Sequence, residues 1–506
     1  MSSKYVCIIL LILLSVLVLT PWEAVGVSAQ MGAWTEAVNI SHTPNGSWFP
    51  DLAVDNLGNV HVVWCETTHV EGRGELEQVY YTMWDGQSWS EPNDIVPPSF
   101  FIHRNAIAIG RTGDLLMVFR EAVVGGYGIF FTSAPSGNAR LAASWSSPRL
   151  MSAHLHNYMA DMAIDSRGTI HLIFDDMGGG TSDICPGGCA DIYYRRSTDE
   201  GQTWSPPLDL LRSPVGASRE QIEIDSNDTI HVTWDEGWDR LSGMGDPIYG
   251  SYTFSTDGGE TWAPVASVSY PESTNAQLTV GSDGSGGVML VWRATSRDEI
   301  FYQWSSDGGI SWGAPATIPG LFARPWTIPF DMYDMAADSA GHIHLVVVGR
   351  ESLDENAPLG VYHLEWDGTS WSAARRIYSD PLLYPEYPKI AINRGNQLHV
   401  AWFTRENLWE GGNREVWYSS SQSAAPYQTP APSPTPTFTP TSIPLPSPTP
   451  TITPYPTLSA NSTDLPEGLY TESDEVLRLI IALSPVMLVI FLIVVVKLRW
   501  FSKPFR

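Results

Sequence analysis

The sequence predicts an all-β fold: a seven-bladed β-propeller, with six blades as the alternative, then a stalk and a single transmembrane helix. Two repeats and one change in composition predict this arrangement. The first repeat is a short turn with the pattern Ser-x-Asp-x-Gly-x-x-Trp, and the second is a strand with a central His. The change in composition follows residue 422, where the chain becomes rich in Pro, Thr and Ser.

The turn repeat predicts hairpins between outer strands of small antiparallel sheets. It occurs at Ser197 to Trp204, Ser255 to Trp262 and Ser305 to Trp312, and looser copies lie at 84–89 and 366–371. The Asp accepts hydrogen bonds from nearby backbone N–H groups, and the Gly adopts positive φ without steric cost. The Trp then covers the turn with a large apolar ring. The residues with this structural role are Asp199, Gly201, Trp204, Asp257, Gly259, Trp262, Asp307, Gly309 and Trp312.

This octapeptide is the Asp-box, or bacterial neuraminidase repeat, and the chain resembles the sialidase-like superfamily of propellers. The resemblance implies that these turns are structural and lie on the rim of the ring. It also implies a possible sialidase chemistry, in which three arginines bind the substrate carboxylate. A Tyr assisted by a Glu acts there as nucleophile, and an Asp acts as acid or base.

The second repeat sets the number of units. An Asp/Gly turn and a His-bearing strand recur in five units, and two further units carry Leu116 and Met289 at the His position. The steps are 55 to 60 residues, so seven units of four short strands are predicted, whereas sialidases usually have six blades. A single axial site does not need five copies of one residue, so we expect a structural role for these histidines: His61, His171, His231, His344 and His399.

The seventh unit has no fourth strand before the composition changes. Residues Ala33 to Val38 resemble the missing strand, so we expect them to complete this unit and close the ring. Closure removes the free edges of the sheets.

The ends of the chain predict a surface-anchored protein with its N-terminal domain outside the cell. Residues 1–29 read as a cleaved signal peptide and 30–422 as the propeller, which we expect to be monomeric. A Pro/Thr/Ser-rich stalk is predicted at 423–470, a membrane helix at 477–497, and a basic cytoplasmic tail at 498–506.

The formal net charge of −27 argues against nucleic acid as a partner, because phosphate binding requires clustered Lys and Arg.

In an oxidising compartment we expect a disulfide between Cys185 and Cys189. No cofactor is predicted, and the Cys and His spacing does not favour zinc. Calcium is an alternative, with oxygen ligands from two loops: Asp175, Asp176 and Asp183, or Asp235, Asp239 and Asp246.

Candidate functional residues follow the ends of the second strands or precede the first strands. Their side chains are predicted to meet on the face opposite the Asp-boxes. The candidate carboxylate-binding residues are Arg104, Arg120, Arg293, Arg350 and Arg405. The resemblance suggests Tyr333 or Tyr387 as nucleophile, Glu66 or Glu121 as its partner, and Asp161 as acid or base. The Phe-Arg-Ile-Pro motif that opens typical sialidases is missing, so no catalytic residue transfers by motif.

Three functions remain open at this level. The first is binding of an extracellular glycan or glycoprotein through the axial loop face, without catalysis. The second is an active glycoside hydrolase with a mechanism like that of an exo-sialidase. The third is a scaffold for protein interaction or adhesion. The missing motif slightly favours binding over catalysis.

Overall fold

A computed structural model describes residues 32–178, 181–183, 185, 188–237, 247–268, 273–325, 333–354, 356–406 and 412–429. The predicted signal peptide, membrane helix and tail lie outside these residues, as does almost all of the predicted stalk. All described residues belong to the first of two units of the chain, Met1–Pro436; the second is Thr437–Arg506. Among the described residues, no helix has both the length and the apolar character needed to cross a membrane.

Five sheets each contain four consecutive strands that pair antiparallel in chain order. The first two comprise β6 His103–Ile109, β7 Asp114–Val123, β8 Gly126–Pro135 and β9 Arg149–Leu150, then β10 Ala160–Ile164, β11 Ile170–Asp176, β12 Asp191–Ser197 and β13 Leu208–Leu211. The next two comprise β14 Ala217–Ile224, β15 Ile230–Glu236, β16 Tyr249–Ser255 and β17 Ala266–Val268, then β18 Asn275–Ser282, β19 Val288–Ala294, β20 Glu299–Ser305 and β21 Ala316–Phe322. The last comprises β22 Asp334–Ala337, β23 Ile343–Gly349, β24 Gly360–Trp366 and β25 Arg375–Ser379. Two short 3-10 helices, Ser136–Asn138 and Ala142–Ser144, lie between β8 and β9.

The remaining strands form one eight-stranded sheet from both ends of the described chain. It comprises β1 Val38–Asn39, β2 Gly46–Val54, β3 Val60–Val70, β4 Gly74–Trp84 and β5 Asn93–Ser99, with β26 Tyr384–Asn393, β27 Gln397–Arg405 and β28 Arg414–Gln422. Its two halves meet at one parallel pair, Gly46 opposite Arg414. Strand β1 pairs with β28, Val38 opposite Tyr418, so the N-terminal segment lies beside the last strand as the sequence predicts.

The two halves of the eight-stranded sheet, β2–β5 and β26–β28 with β1, each count as one four-stranded set, as does each of the other five sheets. The first strand of each set contacts the first strand of the next, and β26 contacts β2. These strands are β2, β6, β10, β14, β18, β22 and β26, and they therefore close a ring. Apolar clusters fill the space between neighbouring sheets; one contains Val63 and Tyr81 together with Met117 and Phe119 of the next sheet. This arrangement of small sheets is that of a β-propeller.

The repeated histidines are buried and link strands of their own sheets. His171 Nδ1 lies 2.7 Å from the hydroxyl of Tyr194, and its Nε2 lies 3.5 Å from Asp165 in the preceding turn. His61, His231 and His399 contact Tyr81, Tyr252 and Tyr418 in the same way, whereas His344 contacts His363. Their role is structural, because each is buried and its Nδ1 already contacts a side chain of its own sheet.

The Asp-boxes are closed by their own side chains. Ser197 Oγ accepts the backbone N–H of Gly201 at 2.9 Å, and Asp199 accepts the N–H of Thr203 at 2.8 Å. The hydrogen bonds from Thr203 lower the pKa of Asp199 to about 2. The ring of Trp204 packs edge-on against Phe131 of the preceding sheet, with centroids 5.1 Å apart. Each turn therefore also fastens its sheet to the one before it.

Replacing an Asp-box glycine should show how closely the sheets approach one another. A Cβ at Gly259 would lie 2.0 Å from the Tyr194 hydroxyl oxygen, and its φ is +81°. We expect Gly259→Ala to lower the free energy of unfolding by about 3 kcal/mol, because strain at positive φ adds to the clash. Chemical denaturation measures this change.

Gly368→Ala is the matched control. Its φ is +92°, but no atom lies within 4 Å of the added Cβ, so only the backbone strain of about 1 kcal/mol remains. Equal costs for the two variants would contradict the close approach of Tyr194 to the neighbouring Asp-box.

The buried His171 should make the fold sensitive to acid. Burial lowers the pKa of His171 to about 4, whereas it is about 6.5 in an unfolded chain. Between these values the unfolded state binds one more proton, so the free energy of unfolding falls as the pH falls. We expect His171→Gln to flatten this dependence by up to about 1.4 kcal/mol per pH unit, measured by urea melts from pH 7 to pH 4.5. The exposed His69, replaced by Gln, should leave the slope unchanged.

Candidate functional site

The face opposite the Asp-boxes, where second strands turn into third strands, is called the open face below. Near this face several first strands contain a bulge whose central residue has a left-handed backbone. The residues are Phe49, Arg104, Arg219, Gln277 and Tyr387, with φ between 51° and 63°. Such backbone costs about 1–3 kcal/mol for a non-glycine residue, so surrounding contacts must hold it.

Second-strand ends hydrogen-bond to the backbone of the next sheet, and at Gln277 this bond supports the bulge. Asp235 accepts the backbone N–H of Gln277 at 2.9 Å and that of Leu278 at 3.2 Å. Arg120 donates from Nε to the carbonyl oxygen of Asn157 at 2.6 Å. Polar residues just past the apolar part of these strands therefore tie one sheet to the next, in addition to any contact with a ligand.

Three arginines stack on aromatic rings where the set β2–β5 meets the set β6–β9 on one side and β26–β28 on the other. The guanidinium carbon of Arg104 lies 3.7 Å from the Phe49 ring centroid, and that of Arg120 lies 3.8 Å from the Tyr127 centroid. That of Arg414 lies 4.4 Å from the Trp48 ring. Cation–π contacts of this kind hold a charge beside an apolar surface. The arginine–aromatic cluster denotes Trp48, Phe49, Glu77, His103, Arg104, Arg120, Tyr127, Tyr158 and Arg414.

A chain of hydrogen bonds at the centre of the cluster fixes the proton on His103. Arg120 Nη1 donates to His103 Nε2 at 2.6 Å, so the ring proton lies on Nδ1, which faces Glu77 Oε2 at 3.2 Å. Burial and the charges of Arg120 and Arg104 hold the pKa of His103 well below its usual value. Burial raises the pKa of Glu77 to about 7, although Arg120 and Arg414 oppose this shift.

The cluster thus combines guanidinium groups with a neutral imidazole and a carboxyl group that titrates near neutral pH. Arg104 also donates from Nη2 to the hydroxyl of Tyr158. Phe101 extends the aromatic surface outward: it is 50% exposed, and its ring centroid lies 5.6 Å from that of Tyr127. Chemically, this arrangement can bind an anion and hold an apolar ring face next to it.

Other predicted arginines hold carboxylates of the protein itself. Arg293 and Arg350 both bind Asp298, each with a distance of 2.9 Å to one of its oxygens. Arg324 and Arg405 both donate to Glu386 Oε1 at 2.7 Å. The structure therefore brings Arg104 and Arg120 into one cluster and places Arg293, Arg350 and Arg405 in two separate clamps.

The candidate acids and tyrosines do not assemble around one point. Asp161 lies inside the ring, and Glu66 is fully buried with bonds from Ser47 at 2.6 Å and Trp64 at 2.9 Å. Glu121 is half-buried on β7, opposite Gly128. Tyr333 is fully buried, and Tyr387 packs edge-on against Phe49 with centroids 5.3 Å apart.

The aspartates considered for calcium are bonded within the protein. Asp175 accepts the N–H of Tyr158 at 2.6 Å and the hydroxyl of Ser218 at 2.6 Å. Asp176 accepts the N–H of His154 at 2.8 Å. Asp239 and Asp246 lie outside the described residues. Within the described ranges, no three His, Cys, Asp or Glu residues are close enough together to hold a metal ion.

Cys185 and Cys189 form a disulfide in the loop before β12.

Sequence reasoning missed several members of the cluster. His103 immediately precedes Arg104, and Trp48 occupies the matching position of the first unit, one residue before the left-handed Phe49. Aligning the units on this position would have identified both residues. Glu77 and Arg414 have no such signal, because they come from third strands of different units and meet the cluster only after the ring closes.

The chain is similar to a known family and to several solved structures. The sequence model of a family described as BNR repeat-like domain matches residues 130–400. A solved polysaccharide lyase, an ulvan lyase bound to -[GlcA(1-4)Rha3S]-, aligns with TM-score 0.51 and 13% identity over 75% of this chain and 95% of that chain. A protein of unknown function from Dyadobacter fermentans has TM-score 0.46 and 14% identity over 77% of this chain and 98% of its own.

The NanB sialidase from Streptococcus pneumoniae has TM-score 0.42 and 13% identity, over 78% of this chain and 70% of that chain. No curated protein matches the chain. At these identities, the likeness to the lyase shows the fold alone.

Removing Glu386 should reveal how much the clamps contribute to stability. Its side chain is fully buried between Arg324 and Arg405. We expect Glu386→Ala to lower the free energy of unfolding by about 3–5 kcal/mol, because both guanidiniums lose their carboxylate partner. Chemical denaturation of this variant and of the exposed control Glu91→Ala measures the difference. A cost below about 1 kcal/mol would show that the clamp is not structural.

Proposed function

Because this chain belongs to the family of BNR repeat-like domains, within the sialidase-like superfamily, we propose that it binds an acidic carbohydrate on its open face. The binding surface is the arginine–aromatic cluster. The observation that carries this proposal is Arg120: its guanidinium stacks on Tyr127, and its hydrogen-bond partners are the neutral His103 and a backbone carbonyl. Its positive charge is therefore not neutralised by direct contact with a carboxylate in the described part of the chain.

The chemistry of the cluster suits a sugar that carries a carboxylate or a sulfate. A guanidinium presents parallel N–H donors to such a group, and aromatic rings pack against the apolar faces of sugar rings. Phe101 lies at the outer edge of the cluster, where a neighbouring sugar of the same chain would meet it. The ulvan lyase that shares this fold was solved with a bound saccharide, which supports carbohydrate as the ligand class.

A glycoside hydrolase with sialidase-like chemistry is the second candidate. Glu77 favours it, because a carboxyl group with a pKa of about 7 is suited to proton transfer at neutral pH. Binding remains the first choice, since Tyr333 is fully buried and Tyr387, whose ring centroid lies 5.5 Å from the guanidinium carbon of Arg104, is only 3% exposed.

We also propose seven blades, counting each four-stranded set as one blade, in a monomeric domain outside the cell. The predicted signal peptide, stalk, membrane helix and basic tail support a single-pass protein of the cell membrane, displayed at a distance from the bilayer. In this location the ligand would be an extracellular glycan or glycoprotein.

Binding to a panel of oligosaccharides with and without acidic groups tests the proposal. We expect wild type to bind members that carry carboxylate or sulfate, and to bind their neutral counterparts at least about 10-fold more weakly. Arg120→Gln should weaken acidic binding by about 10- to 100-fold, because a charge-assisted hydrogen bond is lost. Isothermal titration calorimetry measures both effects.

Arg140→Gln is the matched control, because Arg140 is exposed on the connection between β8 and β9, on the Asp-box side. Its affinity should equal that of wild type. Equal affinity of wild type and Arg120→Gln would contradict the proposal. New reducing ends in the same samples, absent from Glu77→Gln, would favour the hydrolase.

A further inference from the structure

Seven residues, one from each first strand, share a register position that faces the inside of the ring. Gln221 demonstrates the direction: its Nε2 reaches the backbone oxygen of Tyr333, just before β22, two sheets further round the ring. Thr279 on the intervening β18 donates to Gln221 Oε1. The seven residues are Asp51, Ala106, Asp161, Gln221, Thr279, Asp334 and Lys389.

The next inward-facing position, two residues further along each strand, is almost entirely small. Alternate residues of a strand face the same side, so this second layer lines the same axial channel. Glu223 is its one charged member, and the full set is Ala53, Ala108, Ala163, Glu223, Gly281, Ala336 and Ala391. Glu223 is therefore the only carboxylate of this second layer.

Three aspartates of the channel each use one oxygen to bind the next first strand. Asp51 accepts the N–H of Ile107 at 2.8 Å, and Asp334 accepts that of Ile390 at 2.8 Å. Asp161 accepts the N–H of Ile222 at 3.2 Å. Asp161 and Asp334 are only half-buried although protein surrounds them, so the channel admits solvent. These bonds fix the positions of the three carboxylates.

Lys389 is the cation of this channel. It is the only lysine between residues 30 and 476, and its side chain is 9% exposed. It makes no hydrogen bond or ion pair with any described residue; Nζ lies 5.6 Å from the Tyr387 ring centroid. Burial opposes the charge, but the carboxylates of Asp334, Asp51 and Asp161 together hold the pKa of Lys389 well above its usual value.

We infer that the axial channel is a cation-binding cage, and that the chain fills it with its own tethered ammonium group, Lys389. The carboxylates come from four different sheets, through Asp51, Asp161, Glu223 and Asp334. An ammonium ion that is attracted by several of them, and bonded directly to none, offsets their mutual repulsion across the ring. The ligand class of the cage is a primary ammonium ion.

The repulsion that this cation offsets is visible in the acids themselves. Burial raises the pKa of Asp51 to about 7, and the charges of Asp161 and Asp334 add to the shift. Burial likewise raises the pKa of Glu223 to about 8, with further contributions from Asp334 and Asp161. As the pH rises toward 8 these carboxyl groups ionise within the fold. The repulsion among the carboxylates then grows, and a cation between them stabilises the fold more.

Chemical rescue of Lys389→Ala in the full-length chain tests the cage. At pH 8 we expect the variant to melt several degrees below wild type. n-Butylammonium chloride should raise its melting temperature in a concentration-dependent way, whereas n-butanol, which has the same length without the charge, should not. Wild type should not respond to n-butylammonium.

The exposed Arg376→Ala is the matched control, and neither additive should affect it more than wild type. An unchanged melting temperature of Lys389→Ala, equal rescue by n-butanol, or no rescue by n-butylammonium would each overturn the inference. If Lys389→Ala does not fold, Lys389→Met fills the space without the charge. It should melt below wild type, and adding Asp334→Asn should restore part of the loss. A Lys389→Met chain as stable as wild type would overturn the cage.

Discussion

Neighbouring sheets of this ring are joined by side chains that hydrogen-bond to the backbone of the next sheet. Their first strands do not pair with one another as a continuous sheet, yet buried backbone groups require partners. Near the open face, Asp235 satisfies the backbone of Gln277. Inside the channel, Asp51 does the same for Ile107. At the Asp-box face, the Tyr194 hydroxyl reaches the carbonyl of Gly258 in the next sheet at 3.4 Å.

This constraint explains why so many charged residues near the axis are structural. Asp298 and Glu386 each hold two arginines that residue type alone suggests as ligand-binding groups. The arginine–aromatic cluster differs from them in the surroundings of Arg120, which has an aromatic ring and neutral acceptors as partners. The distinction between a clamp and a binding group depends on the partner of each guanidinium. The distance of a guanidinium from the ring axis does not distinguish a clamp from a binding group.

Part of the candidate site could be predicted from the sequence. Arg104 and Arg120 follow from their position at strand ends, since polar residues there face the loops rather than the core. His103 was missed although a signal exists: like Trp48 in the first unit, it directly precedes a left-handed residue. Arg414 escaped because it reaches Trp48 only where the last strand lies beside β2. No local pattern in the chain signals this second contact, because it depends on closure of the ring.

By itself, the sequence determined the all-β class, the repeated units, the structural role of the Asp-boxes and the pairing of the N-terminal segment with the last strand. These features are encoded by short patterns that repeat at a fixed period, and local hydrogen bonding and packing suffice to explain them. The tertiary structure alone decided which charges meet. Lys389 and Asp51 are more than 300 residues apart, and only closure of the ring brings them to one channel, because Coulomb interactions depend on distance in space.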